Sequence, residues 1–520
     1  MPRFLRERNV VKKDWRKVKL RIALCYPNVY AAGMTSLATH LLYYLFNSKD
    51  DVVCERVFYE ANEVPYSLES RQPLSRFDVI AFSLQFEVDY SRAVEMLVRS
   101  NIPPLSAERN RPWVIAGGPC AMENPFPMLP FVDAFLIGDL EPVCNSLIDA
   151  LIQAKSKVEL DSLLDEHFFL SGRDGAQRSF TINLDAEPHS ICQILPEPPY
   201  SSSIEPAFGR SLLVEVSRGC NRRCNFCLTS YQSGPCRERS LGTLENIIDE
   251  GIRCTGVEKV ALIASGLADY SHLGSLLNSI VTRGLQLSIP ALRADLTDFS
   301  ILELVSRGGQ RTLTLAPEAG SQRLRDVIAK GIPDADFHEI INAAIKAGFN
   351  LFKLYFLVGL PTETEEDITA ISEFGKSLLK LSPQRHRLHV SISPFVPKPH
   401  TPFQWCGLMP LSLLKKRLSV LKKAFRIGRI KLDLANPRWS VIQSALSRGT
   451  TEIAPVILAV AKEGPQTAGT WFRAAKQLGV SLEALATRQL STTDSLPWEV
   501  LDVGLERKVL LHRFRKLVRN

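Results

Sequence analysis

No stretch of this chain approaches the roughly 18 consecutive apolar residues that a membrane-crossing helix needs, so no membrane partner is expected. The amino end, Met1-Pro2-Arg3-Phe4-Leu5-Arg6-Glu7-Arg8, is basic but has no apolar signal core, which points to a cytoplasmic location. Eleven cysteines among 520 residues are too sparse for a disulfide scaffold. Cys25, Cys54, Cys120, Cys144, Cys192, Cys254 and Cys406 stand in mostly apolar surroundings and are expected to pack in cores. Neither sign of charge dominates. The net charge of +8 is mild for this length, and permits an anionic ligand or RNA without demanding one. Its basic concentrations, Arg3 to Lys19 and Arg507 to Arg519, read as solvated faces. With 45% hydrophobic and 23% charged residues the composition is that of a globular protein, and the length suggests about three domains.

What is present is concentrated at Ser217-Arg218-Gly219-Cys220-Asn221-Arg222-Arg223-Cys224-Asn225-Phe226-Cys227. An apolar run, Leu212 to Val216, leads into three cysteines at C-x3-C-x2-C spacing, which lets three thiolates converge on one soft metal centre from a single loop. No fourth cysteine or histidine follows at similar spacing, although a structural zinc site wants four protein ligands. A [4Fe-4S] cluster held by three would leave one iron open. Cys236, just past the loop, is expected to be a plain loop cysteine.

With Phe226 as its aromatic residue, the motif resembles the signature of the radical S-adenosylmethionine (SAM) superfamily. That resemblance implies a cluster on Cys220, Cys224 and Cys227, and SAM chelated by the open iron through its amino and carboxylate groups. It also implies a partial (β/α)6 barrel and an electron donor such as flavodoxin or ferredoxin.

The remainder of the chain reads as α/β. After a basic leader, 1–18, residues 19–155 alternate strands with helices. Strands are expected at Leu20 to Tyr26, Val52 to Tyr59, Asp78 to Leu84, Pro112 to Ala116 and Ala134 to Ile137, with helices at Ala32 to Phe46, Tyr90 to Arg99 and up to Ala154. This predicts a doubly wound, Rossmann-like domain with any ligand at the carboxyl ends of the strands. Its loops resemble those of a cobalamin-binding domain. Gly33 fits the D-x-H-x-x-G pattern of such domains, but Tyr30 stands where the cobalt-ligating histidine would be. Ser83 resembles the serine that meets the cofactor tail, and Gly117-Gly118 the paired glycines at its nucleotide. Two readings stay open: cobalamin bound without a histidine ligand, or a domain that has kept the fold and lost the cofactor. The whole looks most like a radical SAM branch with a divergent B12-binding-like N-terminal domain.

Residues 156–210 carry linker signals, with a short hairpin expected between Phe180 to Leu184 and Ile191 to Leu195. Residues 211–408 are expected to form the barrel, its later strands at Lys259 to Ala264, Gln286 to Ala291, Thr312 to Ala316, Leu351 to Val358 and Leu388 to Pro394. Chemistry should sit at their carboxyl ends. There the resemblance implies SAM contacts from Ser265 and Gly266, from Glu318 supported by Arg325, and from the Gly359-Leu360-Pro361 turn, while Arg293 has two open readings, a charge-assisted bond to the SAM carboxylate or a substrate anion and a salt bridge at the barrel rim. Glu363 and Glu365 read as structural residues at a helix start. In the stiff run Pro394 to Pro402, His400 titrates near neutrality; a packed loop histidine is the favoured reading over a proton-transfer role. Residues 409–520 read as a helical region that helps close the substrate site. Neither a TRAM-like RNA-binding module nor a second cysteine trio is found, which argues against tRNA methylthiolation.

The expected function is reductive cleavage of SAM to a 5′-deoxyadenosyl radical, with cobalamin-dependent methylation as one outcome. The rivals are a cobalamin-independent rearrangement, cyclisation or sulfur insertion, and a non-catalytic Fe–S factor that binds nucleic acid or protein. Nothing in the sequence names the substrate.

Overall fold

The computed structural model describes residues 5–381, 386–426, 430–464 and 466–519. Two parallel assemblies face each other across a linker. The N-terminal sheet has the strand order Val52–Phe58, Leu20–Tyr26, Val79–Ser83, Trp113–Gly117, Ala134–Leu136, closed by an antiparallel edge, Phe168–Phe169. The first five run parallel. Helices cover both faces, which is why the strands read as nearly unbroken apolar runs. The order reverses at Leu20–Tyr26, so a crevice opens at the carboxyl ends beside that strand.

The helix expected over Ala32 to Phe46 is two helices, Tyr30–Thr35 and Leu37–Asn47, broken where Ser36 turns extended. From Leu5 on, the basic leader is an arm. Glu7–Arg8 pairs with Leu195–Pro196, and Lys13 Nζ donates to the carbonyls of Asn47 (2.8 Å) and Val52 (2.8 Å), placing a cation at a helix carboxyl end. The expected linker hairpin does not form. Instead Gln193 bonds both backbone groups of Leu213, at 2.9 and 2.6 Å, and His189 Nε2 accepts the Glu215 N–H at 3.2 Å. The linker thus satisfies the free edge of the first barrel strand with side chains, as buried backbone groups require. Cys192 and Cys254, expected as packed thiols, form a disulfide between this linker and the helix Leu241–Thr255.

The barrel opens with Leu212–Glu215, Lys259–Ile263 and Gln286–Ser288, all parallel. A bridge from Leu292 to Leu315 carries it on to Thr312–Glu318, Leu351–Val358 and Arg387–Pro394. A seventh strand, Ile430–Leu434, adds parallel to the sixth inside the region read as purely helical. Its alternation Ile-Lys-Leu-Asp-Leu suits an edge strand with one face on the protein. The helices that follow pack on the N-terminal domain. Ser91 Oγ donates to Gln466 Oε1 at 2.6 Å, and Gln466 Nε2 donates to Glu95 at 2.7 Å. One apolar core consequently runs from the N-terminal sheet through the barrel into the carboxyl-terminal helices. No helix among the described residues is long and apolar enough to cross a membrane.

Candidate functional site

The cluster loop is held by its flanks. Ser217–Arg218 pairs antiparallel with Arg237–Glu238, which turns the chain out of the first barrel strand. Gly219 follows at φ +85°, and a Cβ there would lie 2.3 Å from Ser233 O, so no other residue fits. Arg218 bonds three carboxylates: Glu215 (2.8 Å) beneath it, and Glu141 (2.8 Å) and Asp139 (3.0 Å) from the N-terminal domain. Past Cys220, Arg222 pairs with Asp269, and the Arg223 carbonyl accepts Tyr231 Oη at 2.9 Å. The Asn225 N–H donates to Ile328 O at 2.9 Å, and its Nδ2 to Val327 O at 2.8 Å. Phe226 packs against the apolar group of Ala319, Leu324, Ile328, Leu360 and Phe395. The signature aromatic therefore anchors the loop to the fourth and fifth strand ends.

Cys224 is buried, while Cys220 and Cys227 are half-buried. Burial pushes the Cys224 thiol up to about 11, opposed by the charge of Lys330. Three thiols from one loop, with no fourth cysteine or histidine at similar spacing, fit an iron–sulfur cluster with an open iron better than a structural zinc site, which wants four protein ligands. Gly266 sits beside it, a Cβ there lying 3.8 Å from Cys220 Sγ and 2.8 Å from Asp269 Oδ2. The second strand end thus leaves room at the cluster edge, and Ser265 next to it is exposed.

The fourth strand ends on Glu318, in the left-handed region at φ +67°, accepting Lys330 Nζ at 3.2 Å. Burial raises the Glu318 carboxyl against the pull of Lys330. Arg325 lies wholly inside, donating to the carbonyls of Ala319 (3.1 Å) and Gly320 (3.0 Å), and so fixes the turn after Glu318. Arg293 is held by Asp295 at 3.0 and 2.7 Å, a rim ion pair that an incoming carboxylate would have to share. At the fifth strand the Gly359 N–H is committed to Glu363, 2.9 Å from its Oε1. Glu363 is in turn paired with Arg417, a structural arrangement. The chain's own turn takes the Gly359 N–H, so that group is not free for an adenine.

In front of the N-terminal sheet lies a cavity of about 590 Å³. Ser83, Gly117 and Gly118 line it from the strand ends, Leu41, Leu45 and Phe46 from the helix Leu37–Asn47, and Glu215 and Arg218 from the barrel. Gly118 is needed by its own turn, at φ +105° with a Cβ 2.7 Å from Leu84 O, whereas at Gly117 nothing lies closer than 3.8 Å. Tyr30 is not part of this cavity. It is 3% exposed, stacked edge-on against Phe58, and donates to Glu7 Oε1 at 2.7 Å. The phenol, expected among the cofactor contacts, is tied into a buried pair of Glu7 with Arg56.

The sequence did not single out Lys398. Its ammonium lies between Glu87 and Glu123 (3.2 Å), while Gln443 Nε2 donates to Glu87 at 2.9 Å, joining the sixth strand end to both neighbouring regions. His400, two residues on, is 5% exposed at φ +58°, and burial lowers it to about 4, which suits a packed loop histidine. The Cys236 N–H donates to Asn221 Oδ1 at 2.9 Å, closing the cluster loop.

Residues 214–375 match the family model described as Radical SAM superfamily, and residues 38–169 that described as Radical SAM proteins, N-terminal. An uncharacterized protein of Methanocaldococcus jannaschii is 33% identical over 436 residues, covering 83% of this chain and 89% of that protein. An uncharacterized methyltransferase of Pyrococcus horikoshii is 27% identical over 277 residues, 51% of this chain and 58% of the relative. The solved radical SAM methyltransferase TsrM from Kitasatospora setae, with cobalamin and a [4Fe-4S] cluster bound, overlays with a TM-score of 0.49 at 14% identity, covering 74% of each chain, too loose a fit to transfer a residue or a cofactor. Family match and full-length relative agree with the cysteine loop at the mouth of a parallel barrel: the chain is an enzyme of the radical SAM superfamily, whose members use a [4Fe-4S] cluster and S-adenosylmethionine.

Proposed function

We propose that this enzyme cleaves SAM reductively at the cluster loop and methylates a carbon of its substrate with cobalamin held in the cavity of the N-terminal sheet. One observation carries the second half of that reading. The cavity of about 590 Å³ is lined by apolar side chains of the helix Leu37–Asn47 and by Glu215 and Arg218, the residues that lead into Cys220. It lies at the switch of strand order, where doubly wound domains take ligands. The relative from Pyrococcus horikoshii named a methyltransferase is in keeping with this outcome.

When bound, the cluster with SAM supplies a one-electron cleavage of the sulfonium to methionine and a 5′-deoxyadenosyl radical, and cobalamin supplies methyl transfer. Cys220, Cys224 and Cys227 would hold the cluster, and Gly266 would leave its edge uncrowded. The Glu318–Lys330 pair would offer an acceptor and a cation to the polar groups of SAM, with Arg293 at the rim. Ser83 and Gly117 would meet the tail of cobalamin, and Leu41, Leu45 and Phe46 would keep water from it. Arg218, held by three carboxylates, would form the partition between the two sites.

A cobalamin-independent reading is favoured by two specific facts: no histidine lines the cavity, and Tyr30 is packed away from it. The discriminating experiment is anaerobic purification from cells supplied with cobalamin, followed by visible spectroscopy and turnover with methyl-labelled SAM. Cobalamin bands above the cluster absorbance, and their loss in Gly117→Phe with the cluster retained, are expected. A cluster that cleaves SAM with no cobalamin bound would overturn the methylation reading and leave the cavity to the substrate.

A further inference from the structure

Reductive cleavage needs one electron from outside in each turnover, and the face behind the cluster loop carries a feature that the chemistry above does not use. A groove of about 990 Å³ lies between the loop and the carboxyl-terminal helix Arg507–Arg519. Arg223 and Asn225, on either side of Cys224, form one wall. Arg323 and Asp326 line the floor, and Lys508 and Lys516 the far wall. His512 and Arg513 complete it, so five permanent cations face a single carboxylate. Lys508 is paired with Glu506 and Arg323 with Asp367, while Arg513 donates to Tyr231 Oη at 3.0 Å. Among the described residues, no ion pair engages Arg223, His512 or Lys516. Asn225, 4% exposed, has a buried Oδ1 with no hydrogen-bond partner.

We propose that this groove is the docking site for an acidic one-electron carrier protein that reduces the cluster; the inference rests on the radical SAM reading of the loop. Three observations carry it. The first is charge: the surplus cations would steer an acidic partner and raise its association rate, an effect that about 0.1 M salt screens beyond about 10 Å. The second is position. Arg223, exposed on this wall, is the chain neighbour of Cys224, and consecutive Cα atoms lie about 3.8 Å apart, so a partner touching it is one residue from a cluster ligand. The third is what the groove lacks. Among the described residues no Phe, Tyr or Trp lines it and His512 is its one ring, whereas single-stranded nucleic acid is held by aromatic stacking platforms as well as positive charge. Phe514, on the same helix, is turned inward onto Trp405 at 5.3 Å. The balance of groups therefore favours an acidic protein over RNA.

The test compares two reductants on the reconstituted full-length enzyme. Wild type and the double variant Lys508→Glu, Lys516→Glu, both at exposed positions, are reduced anaerobically by dithionite or by reduced flavodoxin, at low and high salt. The expected result is that the variant keeps its dithionite-driven SAM cleavage. Its bimolecular reduction by flavodoxin should slow by about tenfold, and the salt dependence seen for wild type should flatten. Equal flavodoxin rates for the two proteins at low salt would overturn the docking site, as would a variant that loses binding to a single-stranded RNA oligonucleotide while its flavodoxin rate is unchanged. If wild type itself fails to cleave SAM with dithionite, the reading of the loop has failed, a result the comparison keeps distinct from a failure of the groove.

Discussion

Removing Arg218 should cost the protein far more than a surface ion pair would. The guanidinium is 17% exposed and divides its donors among Asp139, Glu141 and Glu215. Burial alone would raise the carboxyls of Glu215 and Asp139, but Arg218 and its neighbours outweigh it and hold both below their usual range. Arg218→Met leaves three acids sharing Arg237 and the more distant Arg239 (3.6 Å from Glu215). Breaking a buried pair in this way costs about 3–5 kcal/mol, most of it from stranded charge. With a urea slope of about 3 kcal/mol/M, the unfolding midpoint should fall by roughly 1–1.7 M. The pH profile should change as well. Two carboxyls with lowered folded values contribute stability that is present above about pH 4.5 and lost as pH falls through the folded values, so the variant should lose less than wild type on acidification. Urea unfolding of the reconstituted protein, with cluster absorbance followed in parallel, reads both effects. Adding Glu141→Gln and Glu215→Gln to Arg218→Met should recover more than half of the loss. A single variant that costs less than about 1 kcal/mol, or a triple variant with no recovery, would refute the account of the partition.

Glu318→Gln should weaken SAM binding by roughly 10- to 100-fold, the worth of a charge-assisted hydrogen bond of about 1.5–3 kcal/mol, with the cluster spectrum unchanged; equilibrium binding to the reduced or oxidised holoprotein checks it. Gly219→Ala places a Cβ 2.3 Å from Ser233 O and should lower iron content per chain while leaving the far-ultraviolet circular dichroism near that of wild type. Burial lowers His40, His189 and His400 to about 4. Their contribution is therefore complete above about pH 6.5 and lost as pH falls towards 4, by about 2 kcal/mol for each histidine at pH 5, a steep destabilisation that thermal melts of the apoprotein across this window would show.

Much of the layout was legible because local pattern and tertiary role coincide. Strands buried on both faces are continuous apolar runs, so Leu20–Tyr26 and Leu351–Val358 could be placed to the residue. The cluster loop was legible because thiolate chemistry fixes the spacing of its cysteines. What escaped was decided by long-range pairing. Ile191 to Leu195 has the composition of a hairpin arm, yet Gln193 finds backbone partners on Leu213 and Leu195 pairs with Arg8. Short apolar windows do not reveal which edge will claim them. Ile430–Leu434 was hidden by the helices around it, although its alternation was there to be read. The disulfide of Cys192 with Cys254 spans 62 residues of sequence and depends on the linker's path. Tyr30 aligned with a ligand position, but the alignment could not show that Glu7, from the leader, would claim its hydroxyl. Lys398 went unnoticed because its two carboxylates come from 275 and 311 residues away.

The central claim is that Cys220, Cys224 and Cys227 place a SAM-cleaving cluster at the mouth of this barrel. It is tested most directly by measuring 5′-deoxyadenosine and methionine formed from SAM by the anaerobically reconstituted, dithionite-reduced protein. The account predicts both products in wild type, and neither in Cys224→Ala, whose loop is still pinned by Asn225 and Phe226. A wild-type protein that assembles the cluster but forms no 5′-deoxyadenosine, or a Cys224→Ala variant that forms it at the wild-type rate, would contradict it.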